Sequence, residues 1–168
     1  MRSALAPDHA SQGLVVDLWP FRIIAGRCEL LLLHRVEDVD GGGARGVFWQ
    51  GVSGGIEPGE GAAAAALREL REETGLEPMR FYTLDAIFQL YNVARDRIET
   101  VVVFAAEVAA STDPSLSDEH DEWQWVSVER AVEVLPFAPQ RIAVERLLAD
   151  IIERPQEAFR YLIEEDVT

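Results

Sequence analysis

The feature that most constrains this chain is a helix-forming segment, residues 61–74, which carries three closely spaced glutamates. Five consecutive alanines favour a helix, and Gly75 stands where a left-handed C-terminal cap belongs. On a helix, Glu69, Glu72 and Glu73 fall within an arc of about 100°, because their spacing is i, i+3 and i+4. The adjacent arc holds residues that a helix can bury, namely Ala63, Leu67, Leu70 and Thr74. The segment therefore predicts a helix that packs through one stripe and presents three carboxylates on the next.

The three carboxylates repel one another at this spacing, and a bound cation would remove the repulsion. Carboxylate oxygens at this density suit a hard ion, and Mg²⁺ binds few protein carboxylates while keeping waters and substrate phosphates. The alternative is an ordinary solvated helix face, on which Arg68 and Glu72 form an i,i+4 ion pair.

The residues around the glutamates stand at the spacing of a known motif. The segment GGIEPGEGAAAAALRELREETGL, from Gly54 to Leu76, resembles the Nudix box: glycine, five residues, glutamate, seven residues, then Arg-Glu-apolar-x-Glu-Glu-x-Gly-apolar. The defined positions are all filled, by Gly54, Glu60, Arg68, Glu69, Leu70, Glu72, Glu73, Gly75 and Leu76.

This resemblance implies an α/β (α+β) fold, an α/β/α sandwich around a mixed sheet, and a Mg²⁺-dependent hydrolase of phosphoanhydride bonds for which Mn²⁺ can substitute. It also implies the metal-binding groups, which are Glu69, Glu72, Glu73, Glu60 and the carbonyl of Gly54. Glu72 and Glu73 are in addition candidates for catalysis.

Arg68 stands where the family pairs an arginine with a box carboxylate and orients it. The resemblance therefore implies a positioning role for this residue, close to the metal ligands.

The flanks of the box resemble those of dihydroneopterin triphosphate and dATP pyrophosphohydrolases. The approach to the box, residues 48–54, reads FWQGVSG, and residues 116–123 read LSDEHDEW, an acidic loop with a Glu-His pair. The likeness implies that Glu119 is a metal ligand or the general base, with Glu122 as the second choice. The alternative is a solvated acidic turn, in which His120 is a surface residue.

Other residues are candidates for contacts with the substrate. Trp49 is either a platform for a nucleobase or a core tryptophan. Arg35 is the first candidate to meet a phosphate, ahead of Arg22 and Arg97.

The substrate class follows from the resemblance of the flanks and stays open among related activities. A nucleoside triphosphate cleaved to a monophosphate and pyrophosphate is expected first. Similar flanks occur in hydrolases of dinucleoside polyphosphates and of other nucleoside diphosphate derivatives, since a fold does not decide its substrate. The alternative outside enzymes is a nucleotide-binding regulatory module on the same scaffold.

The composition disfavours bulk nucleic acid as a partner, because the net charge is −15 and phosphate backbones are bound by clustered Lys and Arg. A polyphosphate substrate would also be repelled unless divalent cations accompany it. No run approaches the roughly 20 apolar residues that span a membrane. Cys28 is the one cysteine, so no internal disulfide forms. We expect a core thiol in a cytoplasmic protein, and the sequence leaves a homodimer open.

The remaining pattern predicts one mixed domain of 168 residues. Strands are expected at residues 12–24, 28–35, 49–53, 81–91, 98–108 and 122–126. Pro20 makes the first an edge strand or a bulged one. Helices follow at residues 127–135, capped by Ser127, and 139–153, with a frayed helix towards 165. Residues 1–11 are expected to be a loose leader and 38–46 a flexible loop.

Overall fold

The computed structural model describes residues 13–36, 46–93 and 95–164. The predicted leader, and all of the predicted loop except Gly46, lie outside these residues. The strands are β1 Gly13–Ile24, β2 Arg27–Arg35, β3 Phe48–Gln50, β4 Val52–Gly55, β5 Pro78–Asn92, β6 Arg97–Val108 and β7 His120–Ser127. The helices are α1 Ala62–Thr74, α2 Val128–Val134 and α3 Ala138–Arg146, which runs on into a π-helical turn, Leu147–Ile152, and is followed by a 3₁₀ turn, Ala158–Arg160.

The described strands form one mixed sheet. Its main path is β3-β2-β1-β6-β5, while β4 pairs with β1 and β7 pairs with β2. The β1–β6 pairing is parallel, whereas the other pairings, such as β2–β7 and β5–β6, are antiparallel. The prediction of a mixed central sheet is thus confirmed.

Strand β1 lies inside the sheet, so the prediction of an edge strand from Pro20 is wrong. One side of β1 pairs with β6 along most of its length. The other side pairs with β4 from Val15 to Leu18 and with β2 from Phe21 to Ile24. Pro20 falls in the gap between these two partners. Neither β4 nor β2 pairs with β1 at this residue, so the N–H that proline lacks is not needed for a ladder hydrogen bond on that side.

Both faces of the sheet are buried, which strand β2 shows most clearly. Leu30 and Leu32 point into a core that includes residues of α2 and α3, whereas Leu31 and Leu33 point into a second core beneath α1. All four leucines are fully buried. Successive side chains of a strand face opposite sides, so the continuous leucine run encodes a sheet covered by helices on both faces.

Helix α1 matches its predicted range to within one residue, and Gly75 ends it with φ of 66°. The buried stripe differs from the predicted one. Leu67, Leu70 and Thr74 are buried as expected, but Ala63 is only partly buried and Glu73 is buried with them.

The other boundaries shift by a few residues. The strand predicted at 49–53 is split in two at Gly51, whose backbone packs so closely that a Cβ there would lie 2.7 Å from the carbonyl oxygen of Leu18. Strand β7 begins at His120, two residues earlier than predicted. Ser127 caps α2 as predicted, accepting a hydrogen bond from the backbone N–H of Arg130.

The chain after α3 adds to the sheet instead of forming the expected frayed helix. The backbone N–H of Thr83 donates to the carbonyl of Tyr161 at 2.9 Å, and that of Ile163 donates to Phe81 at 2.8 Å. This segment therefore covers the outer edge of β5. None of the helices formed by the described residues is long and apolar enough to cross a membrane.

Candidate active site

The site is built where β4 passes beside α1. Gly54 pairs with Val16 of β1, and this places its backbone directly against Glu69. A Cβ at Gly54 would overlap the carboxylate carbon and Oε1 of Glu69. The first glycine of the box is therefore required by close contact between the strand and a helix glutamate.

Arg68 holds three carboxylates of the site together through hydrogen bonds. Its Nε and Nη2 donate to Oε1 and Oε2 of Glu60 at 2.9 and 3.0 Å, a bidentate pair. Its Nη1 donates to Glu69 at 2.7 Å and to Glu72 at 3.1 Å, and Nη2 also reaches the carbonyl of Gly55 at 2.9 Å. The hydrogen bonds that Arg68 donates to Glu60, ahead of those to Glu69 and Glu72, raise the pKa of Arg68. Arg68 thus makes the contact that the predicted orienting role requires.

Glu73 is the buried carboxylate of the site, with 4% of its surface exposed. Its Oε2 has no hydrogen-bond partner among the described residues. Burial, followed by the charges of Glu69 and Glu119, raises its pKa to about 9, while the backbone N–H of Ser53 and the charge of Arg35 oppose that rise. A buried carboxylate beside two others is costly without a cation. Glu73 is therefore the carboxylate that a bound cation would stabilise most.

The loop before β7 docks on the C-terminal end of α1. The backbone N–H groups of Ser115 and Ser117 donate to the carbonyls of Thr74 and Glu73, at 2.8 and 3.2 Å. These carbonyls belong to the last turn of α1, which lacks partners within the helix. The docked loop carries Glu119 towards the box.

Glu119 lies close to the box glutamates, although it is 46 residues beyond Glu73. It is exposed, and its charge raises the pKa of both Glu69 and Glu73. Burial is the larger cause for both glutamates. Glu122, the second choice, is exposed on β7 opposite His34.

His120 is buried, so the interpretation of this residue as a surface histidine is wrong. It is 4% exposed, and its Nε2 lies 3.2 Å from Nε2 of Gln50, which is 5% exposed. Gln50, which contacts the residue that follows Glu119, was not predicted from the sequence. The signal was available in the FWQ segment, where a polar residue continues an otherwise aromatic strand.

Of the three arginines proposed to meet a phosphate, Arg35 is the one placed beside the box. It ends β2 opposite His120. Burial first, and the charge of Arg35 second, lower the pKa of His120, and the same charge opposes the rise in the pKa of Glu73. Arg22 instead pairs with Glu29 at 2.8 Å.

Arg97 and Trp49 take part in contacts with the rest of the domain. Arg97 pairs with the buried Glu99 at 3.0 Å. Trp49 is half-buried, packs against the core on the α2–α3 side and lies 5.0 Å, centroid to centroid, from the ring of His34. This placement fits a core tryptophan with one accessible side.

The donor set fits Mg²⁺, although the described side chains do not stand as a preformed cage. None of the His, Cys, Asp and Glu groups among them is arranged three together around a metal position. Arg68 hydrogen-bonds the carboxylates of Glu69 and Glu72. The unpartnered Oε2 of Glu73 and the backbone of Gly54 against Glu69 supply oxygen donors of the kind that Mg²⁺ prefers.

Comparison with known proteins places this geometry in a family. The model of the NUDIX domain matches residues 20–148. An octanoyltransferase of Myxococcus xanthus is 41% identical over 106 residues, which make up 62% of this chain and 30% of that protein. The asymmetrical bis(5'-nucleosyl)-tetraphosphatase of Mus musculus is 32% identical over 99 residues, 58% of this chain and 67% of that enzyme. The chain thus spans less than a third of the first relative and about two thirds of the second.

Solved structures agree with this placement. An Ap4A hydrolase of C. elegans, solved as a binary complex, superposes with a TM-score of 0.67 and 25% identity, covering 82% of this chain and 96% of that one. The E. coli dihydroneopterin triphosphate pyrophosphohydrolase superposes with a TM-score of 0.63 and 20% identity, covering 79% and 92%. The second likeness is one of fold.

Proposed function

Because this chain belongs to the Nudix family, whose members act on phosphoanhydride bonds, we propose that it is a metal-dependent hydrolase of nucleoside polyphosphates. The observation that carries the proposal is the convergence of Glu69, Glu73 and Glu119, with Glu69 lying against the backbone of Gly54. Three carboxylates gathered from a helix and a distant loop form a poor site for an anion alone. They form a good site for an anion that arrives with divalent cations.

The residues that would hold Mg²⁺, or Mn²⁺ in its place, are Glu69, Glu72, Glu73, Glu60 and the carbonyl of Gly54. When bound, the ion would neutralise the charge of the phosphate oxygens and polarise a water molecule. Arg68 keeps Glu60, Glu69 and Glu72 within reach of one another.

Glu119 comes from the loop before β7, whereas the box glutamates lie on α1. We propose that it completes the metal site and accepts the proton of the attacking water, because in-line displacement requires a group on the side of that water. We propose that Arg35, at the end of β2, contacts a substrate phosphate, because its guanidinium offers the fork of donors that phosphate prefers.

The first candidate substrate is a dinucleoside tetraphosphate. The specific observation that favours it is the 32% identity with a mouse enzyme named an asymmetrical tetraphosphatase. The second candidate is a nucleoside triphosphate cleaved to monophosphate and pyrophosphate, which the likeness of the FWQ and acidic-loop segments to triphosphate pyrophosphohydrolases favours.

One panel separates these candidates. The purified chain with Mg²⁺ is given Ap4A, the standard nucleoside triphosphates and dihydroneopterin triphosphate, and products are separated by ion-exchange chromatography. ATP plus AMP from Ap4A, at kcat/KM at least tenfold above every triphosphate, supports the first candidate. Monophosphate plus pyrophosphate as the preferred reaction supports the second.

The same panel tests the alternative of a regulatory module. Binding of these nucleotides without turnover, under Mg²⁺ and under Mn²⁺, would contradict the proposed enzyme and favour the binding module.

A further inference from the structure

The residue that follows Glu119 is anchored inside the protein. His120 and Gln50 are both buried, and their Nε2 atoms lie 3.2 Å apart. A hydrogen bond between the Gln50 amide and the imidazole of His120 joins the end of β3 to the start of β7 inside the protein.

The β2–β7 pairing changes register at the same place. Arg35 pairs with His120 and His34 pairs with Glu122, so Asp121 is an extra residue on β7. Its carboxylate lies 2.6 Å from Nδ1 of His34. Bulges of this kind redirect side chains at the ends of strands, and this one decides that His120 is the residue opposite Arg35.

The main chain on either side of Glu119 is held by hydrogen bonds to two other elements. The backbone N–H of Val36, just after β2, donates to the carbonyl of Glu119 at 3.2 Å. The backbone N–H of Ser117 donates to the carbonyl of Glu73 at 3.2 Å. The side chain of His120 adds a third attachment, to β3 through Gln50.

We infer that the buried Gln50–His120 pair is a positioning device, which keeps the carboxylate of Glu119 beside Glu69 and Glu73. The inference rests on the proposed function, since it requires Glu119 to belong to the proposed metal site. Side chains that hold a metal-site residue in place affect activity or metal affinity by about 10–100-fold when removed. If the pair only fills the core, its removal would lower stability, and the effect on activity would not depend on Glu119.

The test removes the hydrogen bond while keeping the volume, with Gln50→Met and His120→Phe. Each variant is measured alone and combined with Glu119→Gln. We expect kcat to fall about 10–100-fold in each single variant, with KM changed less than twofold. In the Glu119→Gln background, Gln50→Met should cost less than a further twofold. His120→Gln, whose amide oxygen can accept from Gln50, should retain more activity than His120→Phe.

The matched control is Glu122→Gln, which makes the same charge change on β7. Gln50→Met should keep its full effect on kcat in that background. An equal loss in the Glu119→Gln background, or no loss in the wild-type background, would overturn the inference. Melting temperatures measured for each variant show whether the assay temperature lies below unfolding.

Mn²⁺ titration followed by electron paramagnetic resonance gives a readout apart from turnover. Gln50→Met should weaken Mn²⁺ binding at least threefold, and it should weaken it no further when Glu119 is already glutamine. If the variants show this Mn²⁺ pattern but the wild-type protein hydrolyses nothing in the panel, the result contradicts the proposed function and leaves the positioning role standing. Wild-type hydrolysis combined with unchanged kcat and Mn²⁺ affinity in Gln50→Met contradicts the positioning role alone.

Discussion

Glu69 and Glu73 lie on α1 close to Glu119, and burial raises the pKa of both helix glutamates. The i, i+3, i+4 spacing predicted that the box glutamates share one side of the helix. It did not predict that Glu73 is buried or that a loop more than forty positions later docks there, with the backbone N–H of Ser117 donating to the carbonyl of Glu73. Burial by distant chain segments leaves no trace in the periodicity of a single helix.

At this scale the first prediction compares two glutamates of one segment. Glu119→Gln should lower kcat by about 10²–10³, the scale of losing one well-placed electrostatic contact. Its melting temperature should stay nearly unchanged, since surface substitutions usually fall within about ±0.5 kcal/mol. Glu122→Gln carries the same charge change and should keep wild-type turnover. If Glu122→Gln is the inactive variant, the assignment within the loop is wrong.

A second prediction concerns Asp17, which shares β1 with the core residues Val15 and Trp19. Burial raises the pKa of Asp17 from 3.8 to about 6, against a hydrogen bond from Ser53 that lowers it. The native state therefore holds the proton more tightly than the unfolded state. Asp17 thus contributes stability below about pH 3.8, and this contribution is lost as the pH rises through about 6.

Asp17→Asn should remove this dependence. The free energy of unfolding at pH 8 should rise by on the order of 1–2 kcal/mol, and the decline between pH 4 and pH 7 should become shallower. Urea unfolding at several pH values measures both quantities. Asp113→Asn, an exposed carboxylate, is the control. A pH profile of Asp17→Asn parallel to that of the wild type would contradict the prediction.

Among the elements, the contact between β4 and α1 determines the geometry of the site. The glycine of the box was predictable from the motif, but the physical reason for it, the carboxylate of Glu69 lying against the backbone, required the structure. The position of β1 inside the sheet was not predictable either. Pro20 signals an edge strand in isolation, and only the change of partner from β4 to β2 makes it compatible with the interior of the sheet.

The prediction at this scale is that Gly54→Ala displaces Glu69. The added methyl group would occupy the position of the Glu69 carboxylate, so the strand and the helix must separate or the glutamate must turn away. We expect at least a tenfold loss of kcat, with weaker Mn²⁺ binding. Gly55→Ala is the matched control, because nothing lies within 4 Å of a Cβ at that position. Equal activity of the two variants would show that the close contact is not needed.

For the whole molecule, the proposed divalent cation would reconcile the net charge of −15 with the proposed anionic substrate. The two-sided core was predictable from the leucine run of β2, and the mixed sheet from the irregular order of strands and helices. The pairing of the C-terminal segment with β5 was not predictable, because residues 161–163 are too short to show a strand period. The single-domain organisation, the oligomeric state and the cytoplasmic location stay predictions.

The proposal of metal-dependent hydrolysis is tested by turnover measured before and after removal of divalent metal. Wild-type protein is assayed with its preferred nucleotide in Mg²⁺, after exhaustive chelation with EDTA, and after Mg²⁺ is restored, with Glu73→Gln in parallel. We expect chelation to reduce hydrolysis to background and Mg²⁺ to restore it. We also expect Glu73→Gln to stay at least about 10²-fold below wild type when metal is present. Hydrolysis that survives chelation undiminished, or a Glu73→Gln variant that keeps more than half of wild-type turnover, would contradict the proposed function.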